Sequence, residues 1–209
     1  MKIVIIHGTM GCPERNWFPW LKSEVEGLVS AGEGESREIE VVVPRFPTPE
    51  GQNLESWLRV FEKEVFGGDA KSLNGEEEVI LIGHSIGAGF VLNLLNLSIL
   101  KLKNYKVRAA FLVSGFARDL GVLEFDELNR EFVARANDDH FNWDIIKNNC
   151  DEFFIYHSDN DPYVPLNFAE ELSSSLDTAI TLIPNGGHLN LESGYTKFPL
   201  LLEDLKKFL

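Results

Sequence analysis

Short apolar runs alternate along the chain with longer segments in which apolar residues recur at helical spacing. Most of these runs are continuous, with no alternating polar residues, which is typical of parallel strands covered by helices on both faces. The predicted strands are Ile3–Ile6, Ile39–Val43, Val79–Ile82, Ala109–Val113, Phe153–Tyr156 and Ala179–Ile183. The pattern therefore predicts an α/β protein.

The segments between the strands are predicted to be helices. Asn16 and Asn53 each precede a stretch with helical apolar spacing, and each is predicted to cap its helix. The segment Ile86–Leu97 is apolar nearly all round, which predicts a buried helix. Alternation of strand and helix indicates a parallel sheet built by right-handed crossovers, with helices on both faces. We expect one such domain over residues 1–209.

Composition narrows the class of protein. The 209 residues include 33 acidic and 19 basic side chains, giving a formal net charge of −14. A surface this acidic repels phosphate backbones, so we expect no nucleic-acid partner. No stretch approaches the roughly 20 apolar residues of a membrane span, and the first apolar run is too short for a signal peptide, so we expect no membrane contact and a cytoplasmic location. Cys12 and Cys150 lack metal-type spacing, and we expect no metal and no cofactor.

The motif Gly83-His84-Ser85-Ile86-Gly87 is the clearest chemical signal in the sequence. G-x-S-x-G is weak by itself, but here it lies between a predicted buried strand and a long apolar helix, which is the setting of a nucleophile elbow. The two glycines lack the Cβ atoms that would clash in so sharp a turn. Ser85 is therefore predicted to be a nucleophile, and the alternative is that it only caps the helix.

A serine hydroxyl needs a base, and His188 is favoured because it follows the last strand in the glycine-bearing loop Asn185–Asn190. The base in turn needs a carboxylate that orients it. Asp161 is favoured because Pro162 pushes it into an extended conformation. Asp159 is the alternative, although it is also a typical turn residue that bonds its own backbone.

Acyl-transfer chemistry also needs two backbone N–H groups that face the developing negative charge. Ile86, the residue after the predicted nucleophile, is expected to supply one of them. The second is expected from the loop His7–Gly11, whose glycines let the backbone approach a substrate. Thr9 is the favoured donor in that loop, and Met10 is the alternative.

The segment Asp119–Asn149 is irregular and rich in aromatic residues. Its place between the fourth and fifth strands makes it either a small cap over the site or an ordinary surface crossover, and both interpretations stay open. The residues predicted to contact substrate are Met10, His84, Trp17, Phe141 and Trp143.

With the chain order Ser85, Asp161, His188, these motifs resemble the α/β-hydrolase superfamily. More narrowly, the chain resembles the small serine hydrolases related to retinoblastoma-binding protein 9. The segments that carry this likeness are Asn16–Trp20, Trp143–Lys147 and Ser158–Pro162. The resemblance implies a Ser85–Asp161–His188 triad and a compact α/β-hydrolase fold of about six parallel strands in the order 2-1-3-4-5-6. The loop Thr9–Glu14 differs from the Gly-rich loop of members close to the human protein.

The sequence thus predicts a carboxylesterase-like serine hydrolase that cleaves a small ester, thioester or activated amide through an acyl-enzyme on Ser85. The expected partner is a small-molecule acyl substrate. One alternative is a protein-binding module of the same fold with weak or no turnover, although nothing in the sequence indicates a protein partner. A second alternative is acyl transfer or lyase chemistry on the same three residues.

Overall fold

Six parallel strands form one sheet in the order β2-β1-β3-β4-β5-β6 in the computed structural model, which describes residues 1–30, 32, 38–67, 77–135 and 140–209. The strands are β1 Lys2–Ile6, β2 Glu40–Val42, β3 Glu77–His84, β4 Tyr105–Val113, β5 Glu152–Ser158 and β6 Ile180–Ile183. All neighbouring strands pair in parallel. The predicted sheet and strand order are confirmed, and β3 and β4 begin earlier than their apolar runs because their first residues still pair with a neighbouring strand.

Helices connect the strands. They are α1 Phe18–Ser30, α2 Leu54–Val65, α3 Ile86–Asn96, α4 Ile99–Leu102, α5 Leu123–Asn129, α6 Trp143–Asn148, α7 Leu166–Leu176 and α8 Pro199–Leu205. Asn53 caps α2 as predicted, because its Oδ1 accepts from the Ser56 N–H at 2.8 Å. The predicted cap at Asn16 is wrong. Asn16 has φ 56° and its Oδ1 accepts from the Leu191 N–H at 2.9 Å, so its side chain is used in a tertiary contact.

The sheet separates two apolar layers. Successive residues of a strand point to opposite faces, so Val4 and Ile6 of β1 pack with α2 and α3, whereas Ile3 and Ile5 pack with α1 and α8. All four side chains are fully buried, and burying one side chain of this size contributes roughly 1.5–3 kcal/mol to stability. The two covered faces explain why the strands read as continuous apolar runs.

The carboxyl ends of all six strands lie at one edge of the sheet because the strands are parallel. Ligands of open α/β sheets bind at this edge. The loops after β1, β3, β5 and β6 therefore place residues that are far apart in sequence beside one another. None of the helices in the described ranges is long and apolar enough to cross a membrane.

Candidate active site

Ser85 lies at the sharp turn between β3 and α3. Its φ of 56° and ψ of −126° are strained for a residue with a side chain. A Cβ on Gly83 would lie 2.5 Å from the Gly87 carbonyl oxygen, and a Cβ on Gly87 would lie 2.4 Å from that of Ile6. Among the described residues, the Ser85 side chain makes no capping bond to α3, so the geometry is that of a nucleophile elbow.

His188 and Asp161 form a hydrogen-bonded pair. The His188 Nδ1 lies 2.8 Å from Asp161 Oδ2, and the Asp161 side chain is fully buried. The other carboxylate oxygen, Oδ1, accepts from the N–H groups of Tyr163 at 2.9 Å and Val164 at 3.0 Å. Burial by itself raises the pKa of Asp161, but the His188 hydrogen bond and charge, with these amides, outweigh it and lower the pKa. Asp161 is therefore an acceptor, and His188 Nδ1 carries the proton.

The alternative carboxylate, Asp159, has a different partner. Its Oδ1 accepts from the Asn185 N–H at 2.7 Å, and the residue is exposed. Asp159 therefore ties the loop after β5 to the loop after β6. The structure brings Asp161, and not Asp159, to the imidazole of His188.

Two aromatic side chains bind the backbone of the His188 loop by hydrogen bonds. The Trp17 Nε1–H donates to the Leu189 carbonyl at 3.0 Å, and Trp17 is fully buried in the layer with α1. His84 Nε2 donates to the His188 carbonyl at 2.9 Å. The predicted substrate contact of Trp17 is therefore wrong, because a fully buried indole supports the loop and does not reach the cavity.

His84 stays neutral in this position. Burial lowers its pKa to about 3, with the nearby His188 as the next cause. The His84 and His188 ring centroids are 4.8 Å apart. A neutral His84 with its proton on Nε2 donates to the His188 carbonyl without adding charge beside the imidazole.

The loop after β1 lies against the elbow. A Cβ on Gly8 would lie only 2.8 Å from the Ser85 Cβ. The Met10 N–H donates to Thr48 Oγ1 at 2.8 Å. Within the described ranges, the N–H groups of Thr9 and Ile86 donate to no protein acceptor. Thr9, in the loop against the elbow, and Ile86, the residue after Ser85, therefore each have a backbone N–H that is not used within the described part of the protein.

His7 fixes the start of this loop. The Phe46 N–H donates to His7 Nε2 at 3.0 Å, so Nδ1 carries the proton and donates to the Gly8 carbonyl at 2.9 Å. Burial is the largest cause of a lowered His7 pKa. A neutral imidazole suits both hydrogen bonds, because protonation of Nε2 would set two donors against each other.

Ser85 and His188 face a common cavity of about 350 Å³. Three other predicted site residues, Thr9, Met10 and His84, also line it. Residues that the sequence analysis did not select as contacts complete the walls: Gly8, Gly11, Arg15, Asn16, Phe116, Leu120, Phe125, Asn129, Tyr163, Val164, Asn190, Leu191 and Glu192. Most of them lie in segments that follow the carboxyl end of a strand. Because ligands of open α/β sheets bind at that edge, the position of these segments in the sequence could have identified them.

Phe141 and Trp143 do not line this cavity, so their predicted substrate contact is wrong. They border a separate depression with Asn142 and Asp144. Phe141 is 8% exposed and packs in the layer with α3, with Trp143 against that layer. Aromatic content alone could not distinguish a cavity wall from a core contact.

The segment 119–149 is divided between two environments, with residues 136–139 lying outside the described residues. The cavity is lined by Leu120, which precedes α5, and by Phe125 and Asn129, which lie in α5. Phe132 is fully buried, 4.8 Å from the Trp57 ring centroid. Within the described ranges, no group of three or more His, Cys, Asp or Glu is placed to hold a metal ion.

The parallel six-stranded sheet and the elbow define an α/β-hydrolase fold. The serine hydrolase family model matches residues 3–207, and the chain belongs to this family. The chain is 27% identical over 210 residues to YdeN of Bacillus subtilis, which is named as a hydrolase, covering 99% of this chain and 95% of YdeN. It is 25% identical over 210 residues to the serine hydrolase RBBP9 of Rattus norvegicus, covering 100% of this chain and 95% of RBBP9.

A solved structure supports the fold. The crystal structure of the Bacillus subtilis ydeN gene product superposes with a TM-score of 0.76 at 24% identity, covering 99% of this chain and 97% of that chain. The resemblance to the small serine hydrolases is thus confirmed, and the family indicates a hydrolytic function.

Acidification is expected to destabilise this fold between pH 6.5 and 5. Burial lowers the pKa of His7, His84 and His157, so the unfolded chain binds protons near pH 6.5 that the folded chain does not. For His84, with a pKa of about 3, the loss is about 1.4 kcal/mol per pH unit, or roughly 2 kcal/mol at pH 5. The lowered pKa of Asp161 acts in a separate window, below about pH 4.

Urea unfolding at pH 7 and pH 5 measures this loss. His84→Gln is the informative variant, because an amide can still donate to the His188 carbonyl but does not titrate. Its free energy of unfolding should fall less than that of the unsubstituted protein over the same interval. Equal losses in the two proteins would contradict a neutral His84.

Proposed function

We propose that the protein hydrolyses a small carboxylic ester, thioester or activated amide through an acyl-enzyme on Ser85. The observation that carries the proposal is the opening of the Ser85 elbow and the Asp161-bound His188 onto one cavity. The φ of 56° and ψ of −126° at Ser85 support the proposal further, because strained backbone conformations of this kind cluster at active sites.

In this mechanism His188 acts first as a base. Its Nδ1–H donates to Asp161, which leaves the Nε2 lone pair to take the proton of Ser85. Ser85 Oγ then attacks the substrate carbonyl carbon. The proton on Nε2 passes to the leaving group as its bond to carbon breaks, and the acyl group remains on Ser85. Water attacks this acyl-enzyme with His188 as base again. The bond between the acyl carbon and Ser85 Oγ then breaks, the proton on Nε2 returns to Ser85, and the acid product leaves.

The negative charge of each tetrahedral intermediate is proposed to lie against the N–H groups of Thr9 and Ile86. Support comes from Met10, whose N–H already donates to Thr48 Oγ1, and from the closeness of Gly8 to Ser85. In other serine hydrolases one donor of this kind stabilises the transition state by about 3–4 kcal/mol.

The cavity walls favour a substrate with one apolar part. Phe116, Leu120, Phe125 and Val164 form an apolar wall, which suits an aliphatic or aryl group of a small molecule. Arg15, Asn190 and Glu192 line the cavity as well and supply polar groups. We propose that α5 acts as a small cap, because Phe125 on this helix completes the apolar wall.

Trapping the acyl-enzyme tests the proposal. A p-nitrophenyl ester should give a burst of nitrophenol, and the rapidly quenched protein should carry one acyl group on the peptide that contains Ser85. Cys12→Ala is the matched control, because Cys12 is a partly exposed free thiol that a reactive ester could also acylate. It directly follows the loop His7–Gly11. An acyl group on Cys12, or turnover without any acyl-enzyme, would contradict the mechanism. Adding hydroxylamine separates hydrolysis from acyl transfer to another nucleophile.

A further inference from the structure

A directed chain of hydrogen bonds runs beside the β1 loop. It starts at the Met10 N–H, which donates to Thr48 Oγ1 at 2.8 Å. The Thr48 hydroxyl then donates to the side-chain carbonyl oxygen of Gln52 at 2.6 Å. The Thr48 hydroxyl thus accepts from Met10 with one of its two lone pairs and uses its single proton on Gln52. The first half of the chain therefore fixes the orientation of the Gln52 amide.

The amide nitrogen of Gln52 continues the chain. It lies 3.0 Å from Thr9 Oγ1, 2.9 Å from Asn129 Oδ1 and 3.2 Å from the Leu128 carbonyl oxygen. The Thr9 hydroxyl donates to Asn129 Oδ1 at 2.9 Å. The donors of Met10, Thr48, Gln52 and Thr9 thus each meet an acceptor. Gln52 connects the β1 loop to the end of α5.

Only a primary amide meets both demands at position 52. The carbonyl oxygen accepts from Thr48, and the NH₂ group donates toward Thr9 and Asn129. A carboxylate would accept but not donate, and a thioether would do neither to any useful extent. Asn129 is 3% exposed, so its side-chain oxygen needs these donors in place of water.

The hydrogen-bond chain also distinguishes two neighbouring backbone amides of the β1 loop. It uses the Met10 N–H and the Thr9 side chain, but it leaves the Thr9 N–H without a protein acceptor among the described residues. Glycines at positions 8 and 11 flank Thr9 and Met10. Because glycine restricts the backbone little, local conformational preference alone holds this loop weakly. The side-chain hydrogen bonds therefore act together with the backbone bond from the Gly11 N–H to the Gly8 carbonyl, at 3.0 Å, in fixing the loop.

We infer that Gln52 and Asn129 are positioning residues that hold the Thr9 N–H in place for the oxyanion. The inference rests on the proposed function. Asn129 ends α5, and Phe125 of the same helix lines the cavity. One amide network thereby sets both the oxyanion donor and the wall that contacts the substrate.

Gln52→Met tests the inference, because it keeps side-chain length and removes the hydrogen bonds. A displaced oxyanion donor should lower kcat roughly ten- to a hundredfold, with KM changed less than about threefold. Affinity for a trifluoromethyl ketone, which forms a tetrahedral adduct, should fall in parallel with kcat. Affinity for the corresponding methyl carbinol, which forms no adduct, should not change.

Asn93→Leu is the matched control. Asn93 is also a buried amide, and it donates to the Gly89 and Phe132 carbonyls, each at 2.8 Å. It does not line the cavity. It should lower the melting temperature without changing the ratio of ketone to carbinol affinity. If Gln52→Met does not fold, Thr48→Val replaces it as the test variant. Thr48 is half-buried, and the substitution breaks the same chain of hydrogen bonds.

The outcomes separate this inference from the proposed function. Unchanged kcat and ketone affinity in Gln52→Met, with Ser85 still acylated in the unsubstituted protein, would overturn the positioning role alone. An equal loss of ketone and carbinol affinity would also overturn it, because that pattern marks a general disruption of the cavity. An unsubstituted protein that forms no acyl-enzyme would overturn both.

Discussion

Ser85→Ala is expected to lower kcat/KM for an ester substrate by about 10⁴- to 10⁶-fold. The variant keeps the cavity and the candidate oxyanion amides but has no hydroxyl to form the acyl-enzyme. The fold should persist, because Ser85 makes no capping bond to α3 within the described ranges. Ester hydrolysis and intact mass after treatment with a fluorophosphonate measure the effect, and the variant should carry no adduct.

Ser114→Ala is the matched control for this experiment. Ser114 follows β4 as Ser85 follows β3, and it too has a positive φ, of 47°. Its buried Oγ has no partner among the described residues, so alanine removes no hydrogen bond. Activity and labelling should survive in Ser114→Ala. Full labelling of Ser85→Ala would show that another residue is the nucleophile.

Asp161→Asn is expected to lower kcat by about 10⁴-fold. The lowered pKa of Asp161 keeps the carboxylate ionised at neutral pH, so it holds the His188 proton on Nδ1 and stabilises the imidazolium. An amide at position 161 carries no charge, and its NH₂ group would favour the tautomer in which Nε2 cannot act as a base. Steady-state kinetics between pH 6 and 9 measure this loss.

Asp159→Asn is the matched control for this second substitution. The two carboxylates are two residues apart, but Asp159 accepts only from the Asn185 N–H among described residues. An amide oxygen at position 159 can still accept that bond, so activity should change less than about threefold. A larger loss in Asp159→Asn than in Asp161→Asn would assign the orienting role to Asp159.

The sequence alone was sufficient where the signal is local. Continuous apolar runs in β1 and β3 predicted strands covered on both faces, and the two core layers confirm this. The spacing Gly83, Ser85, Gly87 predicted a turn that only small flanking residues can enter, since Cβ atoms there would lie within 2.6 Å of backbone. Both signals are set by neighbouring residues.

The sequence identified only part of the cavity wall. Trp17, Phe141 and Trp143 were selected for their aromatic character, yet they pack in or against the two core layers. Phe125 lies in the same aromatic segment and does line the cavity. An aromatic ring has a similar apolar surface in both places, so only the tertiary packing of the segments that carry these rings distinguishes them.

The sequence by itself determined the sheet, the elbow at Ser85 and the candidate residues on each strand-end loop. Only the tertiary structure decided between close alternatives. It paired His188 with Asp161 and not with Asp159, and it bound the Met10 N–H to Thr48. Each choice depends on the direction of one hydrogen bond between segments 26 or more residues apart. Such directions are fixed only when the loops at the carboxyl edge of the sheet are packed together.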